Sequence, residues 1–226
     1  MRYFVTATGT DIGKTYVTAA LAHLARAGGR SVRVAKPIVS GVADMPGPDS
    51  DTALLAAAAG LDLETSLDLI SPWRFRAPLS PDMAAAREGR AIDYDALIGF
   101  CRTALAGPEQ CVLIEGVGGV MVPLDDRHLV RDWIAALKVP TVLVAGSYLG
   151  TLSHTLTALE TLRQADIEVA WIVISESAGT EVPLDDTVAS LRRFARGTPI
   201  VTVGRRSGGN SWREATELGF LVEPTG

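Results

Sequence analysis

The segment Thr6-Ala7-Thr8-Gly9-Thr10-Asp11-Ile12-Gly13-Lys14-Thr15 constrains this chain more than any other, because it follows a β-branched run at 2–6 and opens a run of helical period at 14–27. Strand, glycine-bearing turn and helix in that order aim backbone N–H groups and the positive end of a helix at one anion, which makes a phosphate cradle. In such a cradle Lys14 reaches the β- and γ-oxygens and the Thr15 hydroxyl binds Mg²⁺. Gly9, Thr10, Asp11, Ile12, Gly13 and Tyr16 are the other loop and first-turn positions expected to face the nucleotide. The strict pattern has glycine at position 8, where this chain has Thr8 with Gly9 following, so the loop is a variant.

Beyond the loop, short β-branched runs at 31–36, 111–115, 140–145, 168–174 and 199–203 alternate with helical periods near 51–59, 93–106, 128–137, 151–165 and 184–196. That alternation predicts an α/β fold with a mostly parallel central sheet and helices on both faces. A length of 226 residues predicts one such domain over 1–226. The Pro- and Gly-rich stretch 37–50 reads as a long loop, and the final twenty-odd residues, with Gly208-Gly209, carry little periodicity. A net charge of −5 offers no global attraction to nucleic acid or anionic membrane, and two cysteines form neither a metal pattern nor a disulfide framework. With no apolar run near ~20 residues and no room for a secretion signal, the expectation is a cytoplasmic protein acting on small molecules.

Mg²⁺ prefers hard oxygens, so acidic residues at strand ends are its natural ligands. Glu115 ends an apolar strand before Gly116-Val117-Gly118-Gly119, on the edge where ligands bind in open α/β sheets. Asp51, at a loop-to-helix boundary, is equally readable as a metal ligand or as a helix-capping or first-turn residue. Lys36 ends the run Val32-Arg33-Val34-Ala35 and could bring a second ammonium to the γ-phosphate, where phosphoryl transfer demands charge stabilisation. Replacing Lys14 or Lys36 is expected to damage turnover with little loss of stability.

Taken in order, Gly13-Lys14-Thr15, Lys36-Pro37-x-x-Ser40-Gly41, Asp49-Ser50-Asp51, Ser80-Pro81, Glu115-Gly116-x-Gly118-Gly119, Pro123-Leu124, Asp132-Trp133 and Leu149-Gly150 with His154 resemble the dethiobiotin synthetase family over nearly the whole chain. The resemblance implies a homodimer that uses ATP, Mg²⁺, CO₂ or bicarbonate and 7,8-diaminononanoate, with substrate sites near the dimer interface. By position, Lys14, Lys36 and Thr10 would act on the phosphates, and Thr15, Asp51 and Glu115 would hold Mg²⁺. Ser40 would hold the diamine or carbamate end, lined by Ser80, Pro81 and Gly118. The substrate carboxylate would rest at Leu149, Gly150, Thr151, Leu152 and Ser153, a helix start completed by the partner subunit. Because the nucleophile belongs to the substrate, no Ser-His-Asp or Cys-His constellation is required, and His23, His128 and His154 are expected to be structural.

The chain departs from the family pattern at Ala7, Gly9 and Asp11, and at Ser175-Glu176, where an adenine-binding Asn-Asp pair is usual. Ser175 would therefore meet the base with one short hydroxyl, and the stretch Gly204 to Gly209 lacks the family's usual base-contacting segment; Arg205 or Arg206 could compensate. Two other classes share the loop: amide ligases of the cobyrinate type, which usually carry a glutaminase domain for which 226 residues leave no room, and partitioning or division-site ATPases, which carry an extra early loop lysine.

Overall fold

The structure, a computed structural model, describes residues 1–42, 44–179, 182–206, 208 and 210–222. Along the chain run β1 (Arg2–Ala7), α1 (Lys14–Ala27), β2 (Val32–Ala35), β3 (Ile38–Ser40), α2 (Asp51–Ala59), α3 (Leu63–Ile70), β4 (Trp73–Phe75) and α4 (Pro81–Arg87). There follow α5 (Tyr94–Leu105), β5 (Cys111–Glu115), α6 (Val130–Leu137), β6 (Thr141–Gly146), α7 (Thr151–Gln164), β7 (Val169–Ser175), α8 (Leu184–Arg192) and β8 (Ile200–Val203). Two 3₁₀ segments, Ser211–Glu214 and Thr216–Val222, come last.

Six strands form one parallel sheet in the order β2-β5-β1-β6-β7-β8. Successive side chains of a strand point to opposite faces, and here both faces are covered. Phe4, Ile114, Leu143 and Ile172 enter a core that includes Trp133 of α6 and Leu159 of α7, whereas Val5, Leu113, Val142 and Val173 enter a second core with α1, α2 and the 3₁₀ segments. Because all six strands run the same way, their carboxyl ends share one edge. That edge carries the loop after β1, Lys36 after β2, Glu115 at the end of β5 and Ser175 at the end of β7.

The expected fold class is what the structure has, with strand and helix ends displaced by a residue or a few. The stretch 37–50 is not all loop. Ile38–Ser40 pairs in parallel with Trp73–Phe75 as a separate two-stranded sheet, Ile38 opposite Trp73 and Ser40 opposite Phe75. Buried Ile38 and Phe75 anchor it to the first core, which explains why a Pro- and Gly-flanked stretch still forms a strand. Helices α3 and α4 were likewise outside the expected set. Among the described residues, no helix is long and apolar enough to cross a membrane. Within the base-contacting and C-terminal stretches, Ser207, Gly209 and residues 223–226 lie outside the described residues.

Candidate active site

The helix after the glycine-bearing loop starts without a side-chain cap. Gly13 sits at its N-cap with φ 97°, whereas α2, α3 and α5 are capped by Ser50, Asp62 and Asp93 accepting from backbone N–H groups. The first N–H groups of a helix lack intrahelical partners, so an uncapped start behind a left-handed glycine leaves donors for an anion. Asp11 also adopts a left-handed conformation, φ 56°, a costly geometry for a non-glycine residue that fits a loop shaped around a ligand. Lys14 folds back over the loop, its Nζ donating to the Gly9 carbonyl at 2.8 Å.

Four side chains from four elements meet beside the loop. Lys36 Nζ donates to Glu115 Oε1 at 2.8 Å and to Thr15 Oγ1 at 3.1 Å, and it pairs with the Asp51 carboxylate. The Thr15 hydroxyl donates to Glu115 Oε1 at 2.7 Å. Glu115 is fully buried, whereas the Asp51 side chain is 48% exposed, so solvent screens the Asp51 pairing more. Asp51 is not the cap of α2, since the Ser50 hydroxyl takes the Ala53 N–H at 3.2 Å; it lies in the first turn with its carboxylate turned to Lys36.

The electrostatics follow from that packing. Burial alone would favour a neutral Lys36 amine, but Glu115 and Asp51 outweigh it and hold the ammonium above its ordinary range. Burial would raise the Asp51 carboxyl; the Lys36 charge and hydrogen bond win and leave it below the usual value. Lys14 goes the other way: burial, assisted by Lys36, brings it down to about 8 despite the attraction of Glu115. Breaking the Lys36–Glu115 pair would strand a buried carboxylate, so the expectation that Lys36 can be removed at little cost in stability is corrected here.

Mg²⁺ suits this donor set. Two carboxylates and one hydroxyl supply hard oxygens, and Glu115 Oε2 is buried without a hydrogen-bond partner. Among the described residues no group of three or more His, Cys, Asp or Glu could hold a metal, so the third protein oxygen would be that of Thr15.

Two cavities meet at the loop, and Asp11 and Gly13 line both. The first, about 410 Å³, also has Ile12, Tyr16, Ser175, Glu176 and Arg206 on its wall. The second, about 400 Å³, is bounded by Thr10, Lys14, Thr15, Lys36, Asp51 and Gly118, with Val39, Ser40 and Val42 of the small-sheet segment opposite. Glu115 stands behind the second cavity and bonds its lining. Ser80 and Pro81 begin α4 outside it; the preceding Pro78 crowds Gly41, where a β-carbon would lie 3.1 Å away. Leu149–Ser153 line neither cavity: Gly150, φ 99°, starts α7 without a side-chain cap, buried Thr151 donates to the Gly146 carbonyl at 2.6 Å, and Leu149 is 90% exposed.

The histidines have local partners away from the loop. His23 packs edge-on to Trp212, His128 stacks on Tyr94 and bonds Asp125, and His154 bonds the Tyr148 hydroxyl at 2.8 Å. Sequence reasoning missed Val39, Val42, Val117, Ser177 and Glu217. The first four line the cavities, whereas Glu217, the second residue of the last 3₁₀ segment, reaches the site through its bond to Arg206.

The family model described as an AAA domain matches residues 1–204. The ATP-dependent dethiobiotin synthetase BioD of Methylobacterium nodulans is 47% identical over 211 residues, covering 91% of this chain and 93% of its own. Its namesake from Caulobacter vibrioides is 49% identical over 203 residues, covering 89% and 91%. Among solved structures, the MinC:MinD cell division protein complex of Aquifex aeolicus aligns with TM-score 0.61 and 12% identity over 100% of this chain and 97% of that one. The cell division ATPase MinD of Pyrococcus furiosus aligns with TM-score 0.54 and 17% identity, covering 97% and 99%. At such identities the MinD likeness speaks for the fold alone.

Proposed function

The chain belongs to the ATP-dependent dethiobiotin synthetase family, an ATP-dependent ligase of biotin biosynthesis, and from that premise we propose how its residues divide the work. The substrates are ATP, CO₂ and 7,8-diaminononanoate. The nucleotide base and sugar enter the first cavity, the triphosphate lies along Gly9 to Thr15, and the diamine enters the second cavity. The observation that carries this reading is the convergence of Lys14, Thr15, Lys36, Asp51 and Glu115 at the second cavity, which shares Asp11 and Gly13 of the loop with the first.

One substrate amine adds to CO₂ and loses a proton, giving a carbamate. A carbamate oxygen attacks the γ-phosphorus, the bond to the ADP oxygen breaks, and a carbamic–phosphoric anhydride forms. The second amine then attacks the carbonyl carbon, phosphate departs with the C–O electrons, and a proton is lost as the ureido ring closes. Positioning and charge stabilisation are what the protein must supply, because the nucleophile is the substrate's own. Lys14 and Lys36 neutralise charge gathering on the transferred group, and Thr10 donates to the same oxygens. Thr15, Asp51 and Glu115 would hold Mg²⁺, which when bound neutralises phosphate charge and fixes the orientation of the oxygens. Ser40, with Gly118 and the backbone of Ser80-Pro81, orients the carbamate end.

Residues 1–226 act as one domain in a cytoplasmic homodimer, where a second copy covers exposed Leu149 and Leu152 and completes the carboxylate site at Gly150–Ser153. Phosphate release tests the reading. It should require ATP, Mg²⁺, the diamine and CO₂ together, with dethiobiotin formed in equal amount; strong ATP hydrolysis without diamine would sink it.

A further inference from the structure

One arginine ties the wall of the first cavity to the last 3₁₀ segment. Arg206 lines that cavity, yet both of its terminal nitrogens are engaged elsewhere. Nη1 and Nη2 donate to Glu217 Oε1 and Oε2 at 2.8 and 2.9 Å, and Nη1 also approaches the Gly204 carbonyl at 3.4 Å and the Tyr16 hydroxyl at 3.5 Å. Tyr16, in the first turn of α1, donates to the Ser211 carbonyl at 3.1 Å. Glu217 belongs to the 3₁₀ segment whose Leu218 and Leu221 are buried in the core shared with α1. The loop after β8, the start of α1 and the last 3₁₀ segment are thus fastened around a single guanidinium.

A fork-to-fork pair with a carboxylate uses the edge of the guanidinium and fixes its plane. With that end of the group taken by Glu217, its flat face is the broadest surface it still offers a ligand. Its charge is also matched by Glu217, which leaves little net attraction for phosphate. We propose that Arg206 is the nucleobase platform of this site, a guanidinium face locked by Glu217 and Tyr16 on which a purine ring stacks. Recognition then depends on the area of the ring face, so purines are favoured over pyrimidines while adenine and guanine are scarcely separated. This rests on the reading that the base enters the first cavity, and it assigns that cavity's specificity to a pair outside the family-like motifs.

The test compares binding of ATP, CTP and inorganic triphosphate, each with Mg²⁺, to the full chain by calorimetry. Arg206→Lys keeps the charge but loses the plane. Stacking of a base on a side chain contributes roughly 1–3 kcal/mol, so ATP affinity should fall about tenfold or more, CTP affinity less, and triphosphate affinity should hold. Glu217→Gln keeps the shape but slackens the fork, and should weaken ATP about threefold with triphosphate again unchanged. Equal losses for ATP and triphosphate, or undiminished ATP affinity in Arg206→Lys, would overturn the proposal. Should Arg206→Lys melt early, an unchanged ratio of ATP to triphosphate affinity in Glu217→Gln overturns it instead. The ratio involves neither diamine nor CO₂, so failure of the ligase reading would show separately, as absence of dethiobiotin from a protein that still binds ATP.

Discussion

Ser175 closes directly on Gly13: its hydroxyl oxygen lies 2.8 Å from where a β-carbon on Gly13 would stand. The end of β7 thereby sets how near the phosphate loop can come to the sheet. Gly13 also has φ 97°, where an L side chain costs about 1–2 kcal/mol before any contact. Gly13→Ala should therefore weaken ATP binding by at least about tenfold, the equivalent of roughly 1.4 kcal/mol. Adding Ser175→Gly should recover part of the loss, the part due to contact. Parental ATP affinity in Gly13→Ala would show that the loop tolerates the crowding.

Ser175 also lines the cavity proposed for the base. An asparagine amide both donates and accepts along a base edge, whereas one hydroxyl held against Gly13 satisfies fewer groups. Sites that pair with a ligand's polar groups reject analogues strongly because their own groups would be left unmatched; here that penalty is small. GTP should support turnover within about an order of magnitude of ATP, and CTP less well. A kcat/KM preference for ATP above roughly 10³-fold, or about 4 kcal/mol, over both would mean that adenine is read along its edge.

The two lysines should part company on stability. Lys36→Gln retains a donor for Glu115 yet loses the charge, and kcat should drop by about 10²–10³. Lys36→Ala leaves the buried Glu115 carboxylate without its ion pair and should cost about 3–5 kcal/mol of folding stability as well. Lys14→Ala removes a buried amine that, among the described residues, bonds only the Gly9 carbonyl, and should lose turnover while its melting temperature stays near that of the parent. Near-normal turnover in folded Lys36→Gln would remove Lys36 from the phosphate chemistry.

Mg²⁺ dependence should separate the two carboxylates. Glu115 is fully buried and bonds both Thr15 and Lys36, while Asp51 is half-exposed. Glu115→Gln should raise half-saturating Mg²⁺ by more than Asp51→Asn does, each with little change in the diamine constant. An unchanged Mg²⁺ titration for Glu115→Gln with a sharply raised diamine constant would place Glu115 in the substrate pocket.

Lys14 gives the nucleotide site a pH dependence. Burial lowers it from 10.5 to about 8, so in the free protein the ammonium is lost as pH rises through that value. Phosphate favours the charged form, and ATP affinity should fall by up to about tenfold per pH unit above 8, with proton uptake on binding. For folding the sign is opposite. Between about 8 and 10.5 the unfolded chain holds more protons on this group, so its contribution makes the unliganded protein more stable as pH rises. Calorimetry at pH 7 to 9.5 in buffers of different ionisation enthalpy checks both halves; flat ATP affinity over that range would show that Lys14 stays charged.

The six-stranded sheet was legible in the sequence because a run of helical period separates each of its strands from the next in the chain, so strand type and parallel direction follow together. The small sheet was not: Ile38–Ser40 and Trp73–Phe75 are three residues each, too short for a period, and their pairing depends on burial in a core built by other elements. The phosphate loop was legible because its residues are consecutive. Lys36, Asp51 and Glu115 were found one by one at element ends, but their common bonding network appears only when β2, α2 and β5 meet. Arg206, Tyr16 and Glu217 had no joint signal, since Tyr16 and Arg206 stand 190 positions apart.

The β3–β4 sheet has no strand in common with the six-stranded sheet, although Val39 and Ser40 face the same cavity as the phosphate loop. Changes in which acceptor fits can thus accumulate on one small scaffold while the apparatus that activates phosphate stays untouched on another. With the diamine placed in that cavity as proposed, an ancestral or laboratory lineage seeking a longer, shorter or differently branched diamine would find its variation at Val39, Ser40 and Val42, with the triphosphate grip inherited whole.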